Sequence, residues 1–167
     1  MARPSTPKMP VSQTLISEVL QRVSNAKTKT AKVEILQEYK SPALTKILLC
    51  NFAKSIGFVF PSGATPYTPS ERPAGVDHQL LFTEHRMIDK MITKTVNGVT
   101  LYGCSGQPKP RTHQINQEPL WIQPLEVLHA HEAAILDTIK DKQLHKRYKI
   151  TRQNVIDAFP ELGLQNE

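Results

Sequence analysis

Residues 41–55 read SPALTKILLCNFAKS, and this stretch decides the fold. Ser41 belongs to the residue types that cap helix N-termini, and Pro42 follows it at the first helical position, where a missing N–H costs nothing. Apolar side chains then spread around the helix at Leu44, Ile47, Leu48, Cys50, Phe52 and Ile56. An apolar surface this wide is typical of a helix that other helices surround. We therefore predict a central, buried helix from about Pro42 to Ser55.

Two amphipathic helices are predicted on the N-terminal side of this stretch. The first begins after Ser12 as its N-cap and carries a regular apolar face. The second opens near Thr30, with Glu34 nearby. The apolar faces are Leu15, Ile16, Val19, Leu20 and Val23 in the first helix, and Val33, Leu36 and Tyr39 in the second.

The composition of the chain and its predicted structure change after residue 56. Gly57–Gly75 holds four prolines among Ser, Thr and Gly, so we predict an extended crossover with no helix. Helical spacing returns over His78–Thr93. Asn97-Gly98 is then flanked by β-branched and aromatic residues, which predicts a short hairpin within Val96–Tyr102.

The C-terminal third returns to helices after a second loop. Gly103–Glu118 is polar and contains two prolines, so it is predicted as a loop. Pro119–Leu128 is predicted as a turn or a kinked helix, because a proline lies within it. Ala133–Leu144 is predicted as a regular helix, and Thr151 caps a last short helix over Arg152–Phe159.

Together these elements predict a mainly α protein: a compact bundle of five to seven short helices with two long Pro-rich loops and a short β-hairpin. The length of 167 residues fits one domain. We predict an extended arm over residues 1–11, a single helical domain over residues 12–162 and a C-terminal tail over residues 163–167.

Composition narrows the class of protein. Apolar residues make up 39% and aromatic residues 6%, and the net charge of +6 permits an acidic partner without naming one. Cys50 and Cys104 can form at most one bridge, which excludes a disulfide scaffold, and we expect both thiols to stay reduced. No stretch resembles a membrane span or a signal peptide, so we expect a soluble, intracellular protein without membrane partners.

The most suggestive arrangement of metal-ligand types is Glu126, His129 and Glu132. A glutamate followed by a histidine three positions later is half of a di-iron carboxylate site, but the second half is missing. The alternative is a junction between two helices, in which His129 or His131 lies near a cap and Glu132 lies in the first turn of the next helix, where its charge is favourable to the helix dipole. We favour the junction.

Other candidates for chemistry are weaker still. Cys104 and His113 could join His78 or His85 in a metal site, but no ligand spacing supports this. Cys50 is better explained as a small core residue than as a nucleophile. Phosphate-binding glycine loops and nucleophile elbows are absent from the sequence. We therefore predict no catalytic residue, no cofactor and no metal.

Clustered positive charge is the remaining signal. The segment from residue 140 to residue 152 is opposed only by Asp141, and it contains Lys140, Lys142, His145, Lys146, Arg147, Lys149 and Arg152. One interpretation is a solvated face whose cations stabilise a helix C-terminus; the other is a patch that contacts phosphates or an acidic surface. Further candidate binding residues are Arg3 and Lys8 in the arm and Lys109 and Arg111 in the second loop.

Six stretches of the chain match a known pattern when taken together: Leu15–Lys40, Ser41–Leu44, Pro124–Ala133, Lys140–Lys142, Tyr148-Lys149 and Ala158–Pro160. They resemble a small family encoded by tailed bacteriophages, notably those of marine bacteria and cyanobacteria. The resemblance covers most of residues 12–162 and is carried mainly by apolar and capping positions, so it brings no catalytic residues with it. The chain departs from the family at Val96–Glu118, which is longer, and at its arm.

The resemblance implies a phage protein, located in the virion or in the host cytoplasm. We expect a non-enzymatic binding module that docks on virion proteins through its arm and Pro-rich loops. The alternative is a regulator that binds nucleic acid or host RNA polymerase through the basic residues 140–152. A metal enzyme using Glu126, His129 and Glu132 comes third. The sequence leaves the oligomeric state open.

Overall fold

The computed structural model describes residues 14–58, 63–71, 81, 85–97, 99–102 and 113–166. Over these residues the protein is mainly helical, with one small antiparallel sheet, so the predicted fold class is confirmed. The predicted arm lies outside the described residues, as does most of the predicted loop from Gly103 to Glu118. The first helix begins at Ile16 with Leu15 as its N-cap, so the predicted cap at Ser12 is wrong. None of the described helices is long and apolar enough to cross a bilayer.

Eight α-helices are described, and three short 3₁₀ segments accompany them. The α-helices are α1 Ile16–Asn25, α2 Lys29–Glu38, α3 Pro42–Phe52, α4 Ile88–Met91, α5 His113–Val127, α6 Ala130–Lys140, α7 Leu144–Arg147 and α8 Arg152–Ala158. The 3₁₀ segments are His85–Met87, Pro160–Leu162 and Leu164–Asn166. Leu164 is buried in the core, so the segment predicted as a tail contributes to the helical body.

Helix α3 is deeply buried, as its wide apolar surface predicts, but the central position among the described helices belongs to α6, which packs against α1, α3, α5 and α7. Its residues Leu44, Ile47 and Leu48 are fully buried and belong to one continuous hydrophobic core. Ser41 caps the helix, because its hydroxyl accepts a hydrogen bond of 3.1 Å from the backbone N–H of Leu44. Helices α6 and α4, the latter through its 3₁₀ turn, pack against α3, while α2 packs against α1 and α8.

The sheet contains the predicted hairpin and one strand that the sequence analysis assigned to other structure. Its strands are β1 Ile56–Phe58, β2 Ile92–Val96 and β3 Val99–Tyr102, in the order β1-β2-β3. Val96 pairs with Val99 across the turn, and Asn97 has a φ of 51°, the left-handed conformation that tight hairpins require.

The added strand β1 corrects two predicted boundaries. Gly57 lies opposite Thr93, so the Pro-rich crossover begins only after β1, and the helix predicted over His78–Thr93 ends at Met91. Strand β2 is paired on both sides. Pairing on both sides supplies backbone hydrogen bonds over Ile92–Val96 that compete with the helical pattern in the sequence.

Helix α5 is the largest departure from the predicted secondary structure. The sequence predicted a loop up to Glu118 and a kinked turn after it, whereas one helix runs over His113–Val127 with Pro119 and Pro124 inside. Trp121 and Leu125 are buried in the core, as is Leu128 just beyond the helix. Burial of these three large side chains offsets the backbone hydrogen bonds that the two prolines remove.

Caps explain where the remaining helices begin. Thr28, and not Thr30, caps α2, since its hydroxyl accepts a 3.2 Å hydrogen bond from the Ala31 N–H. Thr151 caps α8 as predicted, in a capping box with Asn154. Helix α6 begins three residues before the predicted Ala133, because His129 serves as its N-cap.

The caps of α2 generate the first prediction. Replacing Thr28 by Ala should lower the free energy of unfolding by about 1 kcal/mol, because an N–H of the first turn loses its acceptor. Replacing Thr30 by Ala is the matched control and should leave stability unchanged or slightly raised, because Ala is the better helix former. Urea denaturation of both variants tests this; a larger loss in the Thr30→Ala variant would show that the cap lies where the sequence pattern placed it.

Candidate functional site

Glu132 is a buried carboxylate with a structural position in the fold. Its side chain is 1% exposed, although it lies in the first turn of α6. One oxygen accepts a 3.1 Å hydrogen bond from the backbone N–H of Ile16, the first residue of α1, and the other accepts one of 2.9 Å from the N–H of Leu81. Burial raises the pKa of Glu132, while these two N–H donors act to lower it.

The other two residues of the suspected metal site also have separate structural contacts. Glu126 is exposed and accepts a 3.2 Å hydrogen bond from the N–H of Thr68. The Nδ1 atom of His129 accepts one of 3.2 Å from the N–H of His131 and so caps α6. The structure therefore matches the junction interpretation. Within the described residues, no group of three His, Cys, Asp or Glu side chains could hold a metal ion.

The remaining candidates for chemistry are placed only in part. Cys50 is buried in the core, and burial raises the pKa of its thiol to about 12, so the thiol stays protonated at neutral pH. His85 opens a 3₁₀ turn. Cys104 and His78 lie outside the described residues, and of His113 only the backbone is described.

The predicted basic patch is divided by the fold, and three of its six Lys and Arg residues point inward. Lys140 is 8% exposed, and its ammonium donates to the carbonyl of Gly63 at 2.7 Å and to Asp141 at 3.0 Å. Lys142 donates to a backbone carbonyl at the C-terminal end of α3, and Arg152 donates to two backbone carbonyls at 2.7 Å each. These three cations hold loops and helix ends together.

The outward half of the patch gains a lysine from elsewhere in the chain. Lys146, Arg147 and Lys149 are exposed, and the ammonium of Lys32 in α2 donates to the carbonyl of Lys149. We call Lys32, Lys146, Arg147 and Lys149 the basic rim. The sequence could not reveal Lys32 because 117 positions separate it from Lys149.

Tyr148 lies between Arg147 and Lys149 in the chain and is 4% exposed, so its ring is not available to stack on a nucleotide base. Arg3, Lys8, Lys109 and Arg111 lie outside the described residues.

A half-open cleft lies beside the basic rim, between α1, the start of α6 and the end of α7. Its volume is about 430 Å³. We call it the Ser17 cleft. It is lined by Ser17, Glu18, Gln21, His131, Arg147 and Tyr148. These residues belong to three different parts of the chain, and no motif in the sequence brings them together.

The Ser17 cleft contains polar groups that the described fold leaves unused. The hydroxyl of Ser17 is buried and has no hydrogen-bond partner among the described residues. Among the same residues, Asn51 and Gln143 each contain one further buried side-chain atom without a hydrogen-bond partner. Glu18 and Arg147 are exposed, and neither forms an ion pair with another residue in the described part of the chain. The guanidinium of Arg147 lies 6.0 Å from the centre of the Tyr148 ring.

The fold and the cleft define a small helical protein with a polar cleft on its surface. The chain belongs to a family of unknown function, DUF6433, whose family model matches residues 19–146. No curated protein and no solved structure matches the chain. Of the cleft residues, Gln21 and His131 lie within the matched range. The other four lie one or two positions outside its ends.

Glu132 generates the second prediction. Replacing it by Gln should lower the free energy of unfolding by about 2–3 kcal/mol, because the new NH₂ group faces a backbone N–H and leaves it unsatisfied. Replacing Glu126 by Gln, which removes an exposed carboxylate with one N–H partner, is the control and should cost less than about 1 kcal/mol. Equal effects in urea denaturation would contradict the role assigned to Glu132.

The stability of the Glu132→Gln variant should also depend on pH differently from that of the unsubstituted protein. The pKa of Glu132 is raised in the folded state. Above pH 4.5, the ordinary pKa of a glutamate, the folded protein therefore binds more protons than the unfolded chain. This contribution to stability is therefore present below that value and is lost as pH rises through the folded-state pKa. The Glu132→Gln variant lacks it, so the stability difference from the native protein should shrink as pH rises; a constant difference would contradict this.

Ser17 generates the third prediction. Replacing it by Ala should raise the free energy of unfolding by about 1 kcal/mol, because a buried, unpaired hydroxyl is removed and Ala is the better helix former. The matched control in the same helix is Ser24→Ala, which should lower stability because the Ser24 hydroxyl accepts a 3.1 Å hydrogen bond from the Lys149 N–H. Thermal and urea unfolding measure both; a destabilised Ser17→Ala variant would show that the hydroxyl is already satisfied.

Proposed function

We propose that this protein is a non-catalytic binding module that docks on a partner protein within a larger assembly. The observation that carries the proposal is the Ser17 cleft with the basic rim beside it. On this surface the exposed guanidinium of Arg147 and the exposed carboxylate of Glu18 lie together, and neither forms an ion pair within the described part of the chain. Polar groups that have no role in holding the fold are available for recognition.

The contacts of the other candidate residues support binding over catalysis. Glu126, His129 and Glu132 each have a hydrogen bond that serves the fold, and they do not converge on one point. Lys140 and Arg152 are likewise committed to backbone carbonyls. The proposal therefore places function at the cleft and its rim rather than at the chemistry-bearing residues that stand out in the sequence.

The assembly we propose is the virion of a tailed bacteriophage. This part rests on the resemblance of the helical and capping stretches to a phage-encoded family. The location we propose is the virion or the cytoplasm of the infected cell.

A second candidate function is a regulator that binds nucleic acid or host RNA polymerase. The observation in its favour is the basic rim, in which Lys32 joins three exposed cations of the predicted patch. Against it, Lys140, Lys142 and Arg152 point inward, and the buried Tyr148 ring offers no stacking surface. Four cations are few for a protein whose affinity depends on phosphate contacts.

Mass spectrometry of purified virions of the encoding phage tests the proposal directly. A signal in fixed stoichiometry to the known capsid or tail proteins is the expected result. Absence of the protein from virions, together with its presence in infected cells, would reject a virion role.

The fourth prediction separates the inward and outward halves of the basic patch. The triple variant Lys146→Gln, Arg147→Gln, Lys149→Gln should change the free energy of unfolding by less than about 1 kcal/mol, because exposed charges contribute little. Lys140→Gln should lower it by about 2 kcal/mol, because the Gly63 carbonyl and Asp141 lose their shared donor.

Fluorescence anisotropy with duplex DNA completes this experiment. The native protein should bind only weakly at physiological salt. Submicromolar binding that falls steeply with salt and disappears in the triple variant would favour the nucleic-acid function over docking.

A further inference from the structure

We propose that residues 63–71 form a strap that opens as one unit while the helices beneath it stay folded, and that the carboxylate of Asp137 is its main anchor. In the closed state the strap supplies a hydrogen-bond acceptor to the indole N–H of Trp121. In the open state the strap and this N–H are accessible to solvent. The inference does not depend on the proposed docking function, because neither Asp137 nor the strap lines the Ser17 cleft.

The strap lacks the regular hydrogen bonding of helices and sheets. All of its residues are described, and they belong to no helix and no strand. Within the strap, the N–H of Tyr67 donates to the carbonyl of Thr65 at 3.0 Å. Backbone groups of an irregular segment must otherwise find side chains or water as partners. The contacts with side chains of the helices therefore determine how easily the strap opens.

The strap also buries little apolar surface. Ala64, Pro66, Thr68 and Pro69 are exposed, whereas Tyr67 packs against the core but is only partly buried. Segments with few buried apolar contacts and accessible backbone hydrogen bonds open at a lower free-energy cost than the whole protein. Opening of the strap therefore does not require the helices beneath it to unfold.

Asp137 in α6 holds the centre of the strap through Thr65. One oxygen of its carboxylate accepts a hydrogen bond of 3.1 Å from the Thr65 backbone N–H and one of 2.5 Å from the Thr65 hydroxyl. Hydrogen bonds to an ionised carboxylate are about twice as strong as those between neutral groups. We call Asp137 the main anchor because it holds both the backbone and the side chain of one strap residue.

The same hydroxyl connects the anchor to Trp121. Because the Thr65 hydroxyl gives its proton to Asp137, its oxygen acts as an acceptor for other groups, and the Trp121 indole N–H donates to it at 3.3 Å. Trp121 is 1% exposed, and its ring makes an edge contact with Phe58 at 5.8 Å between ring centroids. A buried indole N–H needs an acceptor. When the strap opens, water takes the place of Thr65 at the indole.

Other side chains of the two helices hold the strap on either side of its centre. The N–H of Gly63 donates to the two oxygens of Asp141 at 3.1 and 3.3 Å, and its carbonyl accepts from the Lys140 ammonium at 2.7 Å. Further along the strap, the N–H of Thr68 donates to Glu126 at 3.2 Å. These contacts are made by side chains, so they break without loss of the backbone hydrogen bonds inside α5 and α6.

The spacing of the three attachment points makes the strap a single unit. Gly63, Thr65 and Thr68 are close together in the chain, and no helix or strand holds the residues between them. Contiguous segments of this kind open together. Release of the centre therefore frees the contacts on both sides.

The test is native-state hydrogen exchange of the full-length, ¹⁵N-labelled protein, whose one tryptophan gives a single indole signal. The amides of Gly63, Thr65 and Thr68 should share one protection factor, at least about a hundredfold below that of the Ile47 amide in α3. The indole N–H of Trp121 should show the same protection factor as the strap amides. This measurement needs no variant, so it stands even if a substitution prevents folding.

Replacing the anchor tests the assignment to Asp137. The Asp137→Ala variant should lower the protection of all three strap amides and of the indole together, by at least about fivefold, because closed and open states no longer differ by its hydrogen bonds. The Asp137→Asn variant should lose less, because its amide oxygen still accepts without the charge.

The matched control is Asp157→Ala, which removes an exposed helix carboxylate that pairs with Lys29 at 2.8 Å in another part of the bundle. It should leave the protection of the strap amides within about twofold, because distant sites act independently.

Three outcomes would overturn the inference: strap amides as protected as Ile47, three different protection factors at the three amides, or a loss confined to Thr65 in the Asp137→Ala variant.

Discussion

The fold depends most on one buried carboxylate, that of Glu132. The N-cap residue of α1 makes no side-chain cap, and the first N–H of this helix is satisfied instead by Glu132, 116 positions away in α6. The second oxygen of the same carboxylate holds the N–H of Leu81. Because both oxygens are used, a single side chain fixes three segments relative to one another. Ser17 follows Ile16 and His131 precedes Glu132, so the same interaction positions two walls of the Ser17 cleft.

The basic residues between positions 140 and 152 form one cluster in the sequence. In the structure they fall into two groups. Lys140, Lys142 and Arg152 donate to backbone carbonyls at loops and helix ends, where an unsatisfied acceptor would be costly. Lys146 and Arg147 remain exposed next to the cleft. Net charge therefore overstates the number of exposed cations, because three of the six Lys and Arg residues in this segment contact backbone carbonyls of the fold.

Local features of the fold could be predicted from the sequence, whereas features that depend on distant residues could not. The Ser41 and Thr151 caps and the Asn97 turn depend on neighbouring residues and were predicted correctly. Strand β1 needs its pairing with β2, and α5 tolerates its prolines only because Trp121 and Leu125 are buried. The candidate site was harder to predict than the fold. Charge clustering identified Arg147, but no local signal in the sequence identified Ser17 or Lys32.

The central claim is that the Glu132 carboxylate holds α1 and Leu81 in place and so shapes the cleft. Amide hydrogen exchange in the native protein and in the Glu132→Gln variant measures this most directly, because first-turn N–H groups exchange quickly unless something accepts them. The amides of Ile16 and Leu81 should be protected in the native protein and exchange at least about tenfold faster in the variant, while the Ile47 amide in α3 changes less. Equal exchange of the Ile16 and Leu81 amides in the two proteins would contradict the claim.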